Sequence, residues 1–141
     1  MISTKSIEEA KKMIKSSKRP TIVLAQDPAF NRKVLEYGKF DVLMSPERLE
    51  GSSSLKQSNS GLNEIVARIS KKNRISIGID FDEVKSLGIK EKLNRLIKIR
   101  QNIEICRSVG AKIFTAKKSY KDVLLSLGAS TKQADEATQY F

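Results

Sequence analysis

The chain has 141 residues, a formal net charge of +11 and a sequence pI of about 9.8. It contains no histidine and a single cysteine, Cys106. These counts exclude an internal disulfide and every catalytic or zinc site that depends on histidine. The length suits one domain, and the charge favours a polyanionic partner such as nucleic acid over the alternative of solvated surface lysines.

The sequence also lacks the patterns of membrane insertion and secretion. No apolar run approaches the ~20 residues that a membrane span requires, and the N-terminal residues show no signal-peptide pattern. We therefore expect a cytoplasmic protein made of one domain, residues 1–141, with no membrane partner.

The N-terminal residues predict a helix followed by a buried strand. Within residues 1–19, Ile7 and Ile14 recur at helical spacing among lysines, which predicts an amphipathic helix over residues 3–17. Residues 21–25 are apolar and rich in β-branched side chains, which favours a strand that is covered on both faces.

Turn and cap residues then mark a second helix and a second strand. Asp27 followed by Pro28 is typical of a helix start, because an aspartate caps the first turn and proline suits its first position. Gly38 is typical of a helix end. Residues 41–44 predict the next strand.

A change of composition follows. Residues 46–60 are rich in serine and poor in apolar side chains, which predicts a long flexible loop. Ser60 is expected to cap a helix over residues 62–72. Residues 75–81 predict the third strand. The apolar stripe expected for this helix consists of Leu62, Ile65, Val66 and Ile69.

The second half of the chain predicts one long helix, a short strand and two closing helices. The long helix covers about residues 90–109 and ends at Gly110, and Cys106 lies on its apolar side, so this cysteine is expected in the core. The fourth strand is expected at residues 112–115. The closing helices, separated by Gly128, cover residues 122–127 and 132–140.

This order of elements predicts the fold class. Alternating strands and helices indicate an α/β fold with about four parallel strands and helices packed outside them. An eight-stranded barrel usually needs ~250 residues. The chain is therefore expected to form at most half of such a barrel.

Two carboxylates follow the third predicted strand. Asp80 and Asp82 stand at its carboxyl end, where parallel α/β folds bind ligands, and oxygen ligands at this spacing suit Mg²⁺. A metal-dependent phosphoester hydrolase is thus one hypothesis. We favour the alternative, in which Asp82 caps a short helix and Asp80 pairs with a lysine, because no other acidic cluster is available to complete a metal site.

The basic residues favour contacts with RNA phosphates. Attraction to a helix C-terminus explains Lys71 and Lys72. It does not explain Lys117 and Lys118, which follow a strand and favour phosphate contacts. The aromatic residues form no cluster, so we expect recognition of RNA backbone and shape rather than base stacking.

Four segments together resemble a known family. In order and spacing they resemble motifs of the archaeal ribonuclease P protein component three, the homologue of the eukaryotic thirty-kilodalton RNase P/MRP subunit. The resemblance extends over roughly residues 20–141, with Gln133 and Ala134 in its terminal helix. The segments are SGLNEIVARISKKN at 60–73, ISIG at 75–78, NIEICR at 102–107 and DVLLSLG at 122–128.

The resemblance implies a fold, a function and partners. It implies a TIM-barrel-like domain that supports a catalytic RNA in removing 5′ leaders from precursor tRNA. The RNA would perform the hydrolysis and use the Mg²⁺, so we expect no cofactor on this chain. The implied partners are the RNase P RNA, a Pop-five-like protein subunit and, indirectly, precursor tRNA. The candidate RNA contacts are Lys56, Arg68, Lys71, Lys72, Arg95, Lys117, Lys118 and Lys121.

The sequence also departs from the family pattern. Glu64 stands where histidine is usual, Asp82 replaces a residue that is often arginine, and the loop lysine, Lys56, comes a few residues early. The first barrel strands have no counterpart, which implies a shortened member whose open sheet edge is covered by a partner or a second copy. A generic basic RNA- or ribosome-associated protein remains the other alternative.

Overall fold

The structure, a computed structural model, describes residues 1–48 and 60–139. Within these residues one four-stranded sheet has the order β1-β2-β3-β4, and each strand pairs in parallel with the next. Sequential parallel strands joined through helices are the arrangement of half a (β/α)₈ barrel. The predicted incomplete barrel is confirmed. The strands are β1 (Ile22–Leu24), β2 (Val42–Met44), β3 (Ser76–Gly78) and β4 (Ile113–Phe114).

Seven α-helices accompany the sheet in the described residues. None of them is both long and apolar enough to cross a membrane. The helices are α1 (Ile7–Ser16), α2 (Pro28–Tyr37), α3 (Glu64–Lys72), α4 (Phe81–Lys85), α5 (Ile89–Val109), α6 (Lys121–Ser126) and α7 (Thr131–Ala137).

Local sequence signals set several helix ends as predicted. The Asp27 carboxylate accepts a hydrogen bond from the Phe30 N–H at 2.7 Å, so it caps α2 in front of Pro28. Gly38 ends α2, and Gly110 ends α5 with the left-handed backbone (φ 78°) that glycine adopts without strain.

The start of α3 corrects two expectations. Asn63 caps the helix by accepting from the Val66 N–H at 2.9 Å, whereas the Ser60 hydroxyl donates to the Leu62 carbonyl. The predicted stripe is also interrupted, because Ile65 is 59% exposed. The buried positions of α3 are instead Ala67 and Ser70, whose small side chains let α3 pack closely against both α2 and α5.

Apolar side chains line both faces of the sheet. On the helix side, Val23, Leu43, Ile77 and Ile113 join the main core. Cys106 lies in this core as predicted, and its burial raises the pKa of the thiol to about 12. On the other side, Leu24, Val42, Met44 and Phe114 form a second cluster.

The second cluster approaches the backbone of β3 closely. A Cβ atom added to Gly78 would stand 2.7 Å from both the Met44 sulfur and a Val42 methyl carbon. Glycine at this strand position therefore makes room for side chains of the neighbouring strand.

The chain itself occupies part of both sheet edges. The Ile2 N–H donates to the Ile22 carbonyl, and the Leu24 N–H donates to Ile2, each at 2.8 Å. Beyond β4, the Thr115 N–H donates to the Ala137 carbonyl at 3.0 Å. At these positions residues of the chain itself pair with the edge strands. This corrects, for these positions, the expectation that a partner must cover an open edge.

The predicted serine-rich loop falls mostly outside the described residues. Its first part, Pro46–Arg48, forms a 3₁₀ turn in which Glu47 is buried. Residues 49–59, which include Lys56, lie outside the described range.

Candidate nucleic-acid interface

The two carboxylates after β3 exchange their expected roles. Asp80 caps α4 by accepting from the Glu83 N–H at 3.1 Å. Asp82 is the one that pairs with a lysine, Lys117, at 3.0 Å, and it also accepts a hydrogen bond from the Tyr120 hydroxyl. β3 ends at Gly78, earlier than the predicted strand, because α4 begins at Phe81. The Phe81 ring packs against the Tyr120 ring, with 5.0 Å between their centroids.

These contacts shift the ionisation of both partners. The hydrogen bond from Tyr120, followed by that from Lys117, lowers the pKa of the Asp82 carboxyl below its usual value. The same contact with Asp82 raises the pKa of Lys117. Across residues 1–48 and 60–139, no three potential metal ligands gather in one place. No described contact favours the hydrolase hypothesis, and we do not propose it.

Arg95 lies in the interior rather than on an RNA-accessible face. Its guanidinium donates to Glu83 at 2.8 Å and to Glu47 at 3.3 Å, and its side chain is 13% exposed. Burial raises the pKa of Glu47, although Arg95 opposes that shift. These pairs tie the 3₁₀ turn after β2 to α4 and α5. Arg95 is therefore explained by packing, and we do not retain it as an RNA contact.

Of the remaining candidates near the carboxyl end of the sheet, Lys117 and Lys118 are exposed and Lys121 is partly exposed. Lys121 pairs with Asp135 at 2.5 Å, and this hydrogen bond raises the pKa of Lys121. Lys118 begins the 3₁₀ turn Lys118–Tyr120 and is exposed. Exposed ion pairs contribute little to stability and break readily. Lys117, Lys118 and Lys121 stay predictions.

Three candidates lie together on α3. Arg68, Lys71 and Lys72 are exposed, and their spacing of three and four residues places them on one side of the helix. Lys71 also lines a cavity of about 500 Å³ beside the starts of β3 and β4. The structure therefore brings these three cations together, as neighbours of a concave surface.

The same cavity contains two cations that were not among the candidates. Arg74 precedes β3 and Lys112 precedes β4, and both side chains line the cavity with Lys71. The sequence does hold a signal for them. The amino ends of parallel strands meet at one edge of the sheet, so residues that directly precede different strands become neighbours.

Comparisons with known proteins agree with the motif-based resemblance. The chain is 30% identical over 132 residues to ribonuclease P protein component 3 of Methanococcus maripaludis strain C6, and 29% identical to that of strain C7. Each match covers 92% of this chain and 50% of the relative. The chain thus spans about half the length of the curated relatives it matches. No family model matches it.

The fold has a counterpart among solved structures. A chain in the cryo-EM structure of archaeal ribonuclease P with mature tRNA superposes with a TM-score of 0.76 at 17% identity. The superposition covers 96% of this chain and 62% of that chain. This likeness supports the fold, and the sequence matches confirm the resemblance to ribonuclease P protein component 3.

Proposed function

We propose that this protein is a subunit of ribonuclease P that supports the catalytic RNA in removing 5′ leaders from precursor tRNA. The observation that carries this proposal is the similarity to ribonuclease P protein component 3 along 92% of the chain. The net charge of +11 and the exposed cations of α3 suit contacts with RNA phosphates.

In this proposal the RNA performs the hydrolysis and the polypeptide supplies binding. Cationic side chains neutralise phosphates, so the phosphates of a compactly folded RNA repel one another less. Mg²⁺ acts on the RNA and needs no dedicated site on this chain. Arg68, Lys71 and Lys72 are the sequence-predicted contacts that the structure holds on one exposed side.

The proposal includes a second protein subunit, the Pop-five-like partner that the resemblance implies. α5 carries exposed apolar side chains at Ile89, Leu93 and Ile97, one turn apart on one side of the helix. Adjacent exposed apolar side chains of this kind are typical of protein-binding surfaces. This stripe is the described surface whose chemistry suits that partner.

Reconstitution tests the proposal. Ribonuclease P of Methanococcus maripaludis would be assembled from its RNA and proteins without component 3, and this chain would be added at limiting Mg²⁺. We expect the chain to restore cleavage of precursor tRNA, whereas lysozyme, a basic protein without the fold, restores none. Equal cleavage with and without the chain would reject the proposal.

Recovery of bound RNA separates this role from that of a generic RNA-binding protein. The tagged chain would be purified from its own cells after crosslinking, and the attached RNA would be sequenced. One dominant ribonuclease P RNA supports the proposal. A broad mixture of ribosomal and messenger RNA supports the generic alternative instead.

A further inference from the structure

Two concave surfaces adjoin each other at the amino ends of the strands. The first is the 500 Å³ cavity, and the second, of about 340 Å³, lies between the end of α1 and the segment that precedes β2. Together they contain six cationic side chains, which we call the amino-end rim. The rim consists of Lys15, Arg19, Lys39, Lys71, Arg74 and Lys112.

Specific contacts make the rim continuous. Asp41 lines the first cavity, forms an ion pair with Arg19 of the second at 3.7 Å, and accepts a hydrogen bond from the Thr21 N–H at 2.7 Å. The Asn73 amide donates to the Leu35 carbonyl at 2.6 Å, which joins the end of α3 to α2. The rim therefore spans the starts of all four strands.

Helix dipoles explain only part of this positive charge. α1, α2, α3 and α5 end at this side of the sheet and α7 ends beside the first cavity, and each C-terminus carries roughly half an elementary negative charge. Together they offset about two to three of the six cations. Two carboxylates, Asp41 and Glu136, also line the cavities. A net positive charge of about one to two remains on a concave surface, where the field of the charges is concentrated.

Most of these cations are unpaired. In residues 1–48 and 60–139, Lys15, Lys71, Arg74 and Lys112 form no ion pair with a carboxylate. A phosphate group that approached them would displace only water and counterions. The cations Arg95, Lys117 and Lys121, on the other hand, already have carboxylate partners.

Backbone geometry adds an independent observation. Lys39 and Arg74 have φ angles of 62° and 57°, in the left-handed region where glycine is the unstrained residue. Arg74 follows Asn73 at the end of α3, the position that glycine often occupies, and Lys39 follows Gly38 at the end of α2. Such strained backbone clusters at functional sites, and Ser45 after β2 shares it with a φ of 60°.

We propose that the amino-end rim is the surface that binds the sugar-phosphate backbone of RNA. Each cation contacts a phosphate. The protein surface is concave rather than flat, so it admits a folded RNA strand. The inference rests on the proposed function only for the identity of the RNA. It places the main contacts at the end of the sheet opposite the carboxyl end, where parallel α/β folds usually bind ligands.

Two variants of equal charge test the rim. The rim variant carries Lys71→Gln, Arg74→Gln and Lys112→Gln, and the control variant carries Lys12→Gln, Lys33→Gln and Lys132→Gln on exposed helix positions. Affinity for the fluorescently labelled ribonuclease P RNA of Methanococcus maripaludis is measured over a range of salt concentrations. Urea unfolding of both variants, and of Arg74→Gly alone, verifies that each chain is folded.

The expected result is a weaker and less salt-dependent complex for the rim variant only. Its affinity falls about tenfold or more, and the slope of log K against log salt falls by about three, one for each phosphate contact. Arg74→Gly, which removes one charge and relieves strain, lowers the slope by about one. The control variant keeps the wild-type slope.

Other outcomes overturn the assignment, and they are distinct from failure of the proposed function. Equal losses in both triple variants show that total charge alone matters. Unchanged affinity in the rim variant shows that the rim does not bind this RNA. Binding through the rim without restored cleavage contradicts the proposed function alone, and restored cleavage with unchanged rim-variant affinity contradicts the rim alone.

Discussion

The two ends of the sheet use the same residue types for different purposes. At the carboxyl end, Arg95, Lys117 and Lys121 each pair with carboxylates of the chain. At the amino end, Lys71, Arg74 and Lys112 surround a cavity and pair with no carboxylate of the described residues. Proximity to a strand in the sequence does not distinguish these cations, because Lys117 at one end and Lys112 at the other both lie within a few residues of β4.

The difference teaches that a buried ion pair, rather than charge, marks a structural cation. An exposed ion pair, such as that of Lys117, leaves the cation a candidate ligand contact. A buried cation with carboxylate partners stabilises its own surroundings, and removing it leaves an uncompensated charge. An exposed cation without a partner contributes little to folding and keeps its charge available. The predictions that follow separate the two ends by opposite effects on stability.

The largest expected effect is at the carboxyl end, for Arg95→Ala. Glu47 is only 1% exposed, so loss of its partner strands a carboxylate in the interior. Breaking such a pair costs about 3–5 kcal/mol of unfolding free energy. The matched control is Arg100→Ala on the same helix, whose ion pair with Glu104 is exposed and spans 3.8 Å. It is expected to cost less than about 1 kcal/mol. Urea unfolding measures both, and equal losses would contradict a structural role for Arg95.

Features that depend on neighbours in sequence were predictable. The Asp27 cap, the helix ends at Gly38 and Gly110, and the buried Cys106 follow from local patterns, and all are confirmed. The order of parallel strands follows from the alternation of strands and helices. These features are short-range or topological, so one sequence contains enough information to place them.

Features that depend on distant partners were not predictable. Glu47 and Arg95 lie 48 residues apart in the sequence, and no local pattern indicates that their side chains form an ion pair. The exchange between Asp80 and Asp82 has the same origin, because Tyr120 and Lys117 reach Asp82 from the far end of the chain. Arg74 directly precedes one predicted strand and Lys112 begins the next, but the cavity that they share forms only when the sheet brings the starts of β3 and β4 together.

The second effect has the opposite sign and concerns the amino end. Arg74→Gly is expected to stabilise the protein by about 0.5–1 kcal/mol, because glycine removes left-handed strain that exceeds its own entropic cost. Arg68→Gly, which removes the same charge from the helical backbone of α3, is expected to cost about 1 kcal/mol. The two urea midpoints should therefore shift in opposite directions. A loss of stability in Arg74→Gly would mean that this arginine contributes to folding, as Arg95 does.

The smallest effect tests how the carboxyl end holds its exposed pair. In Tyr120→Phe the ring still packs on Phe81, but the hydrogen bond to Asp82 is lost, so the pKa of Asp82 rises towards its ordinary value of 3.8. A lowered folded-state pKa stabilises the protein above pH 3.8, and that contribution disappears as the pH falls through the folded-state pKa. The stability difference between wild type and variant is thus expected to shrink in acid.

An NMR titration of the Asp82 carboxyl carbon measures this shift directly. Lys117→Gln is the matched comparison. It is also expected to raise the pKa of Asp82, because the Tyr120 hydrogen bond is the largest single cause of the shift and Lys117 adds both a hydrogen bond and its charge. A larger rise in Lys117→Gln would make the ion pair the dominant contact of Asp82. The ammonium of Lys117 would then bind that carboxylate more strongly and be less available to a phosphate. Lys117 would thus differ more from the unpaired cations of the amino-end rim.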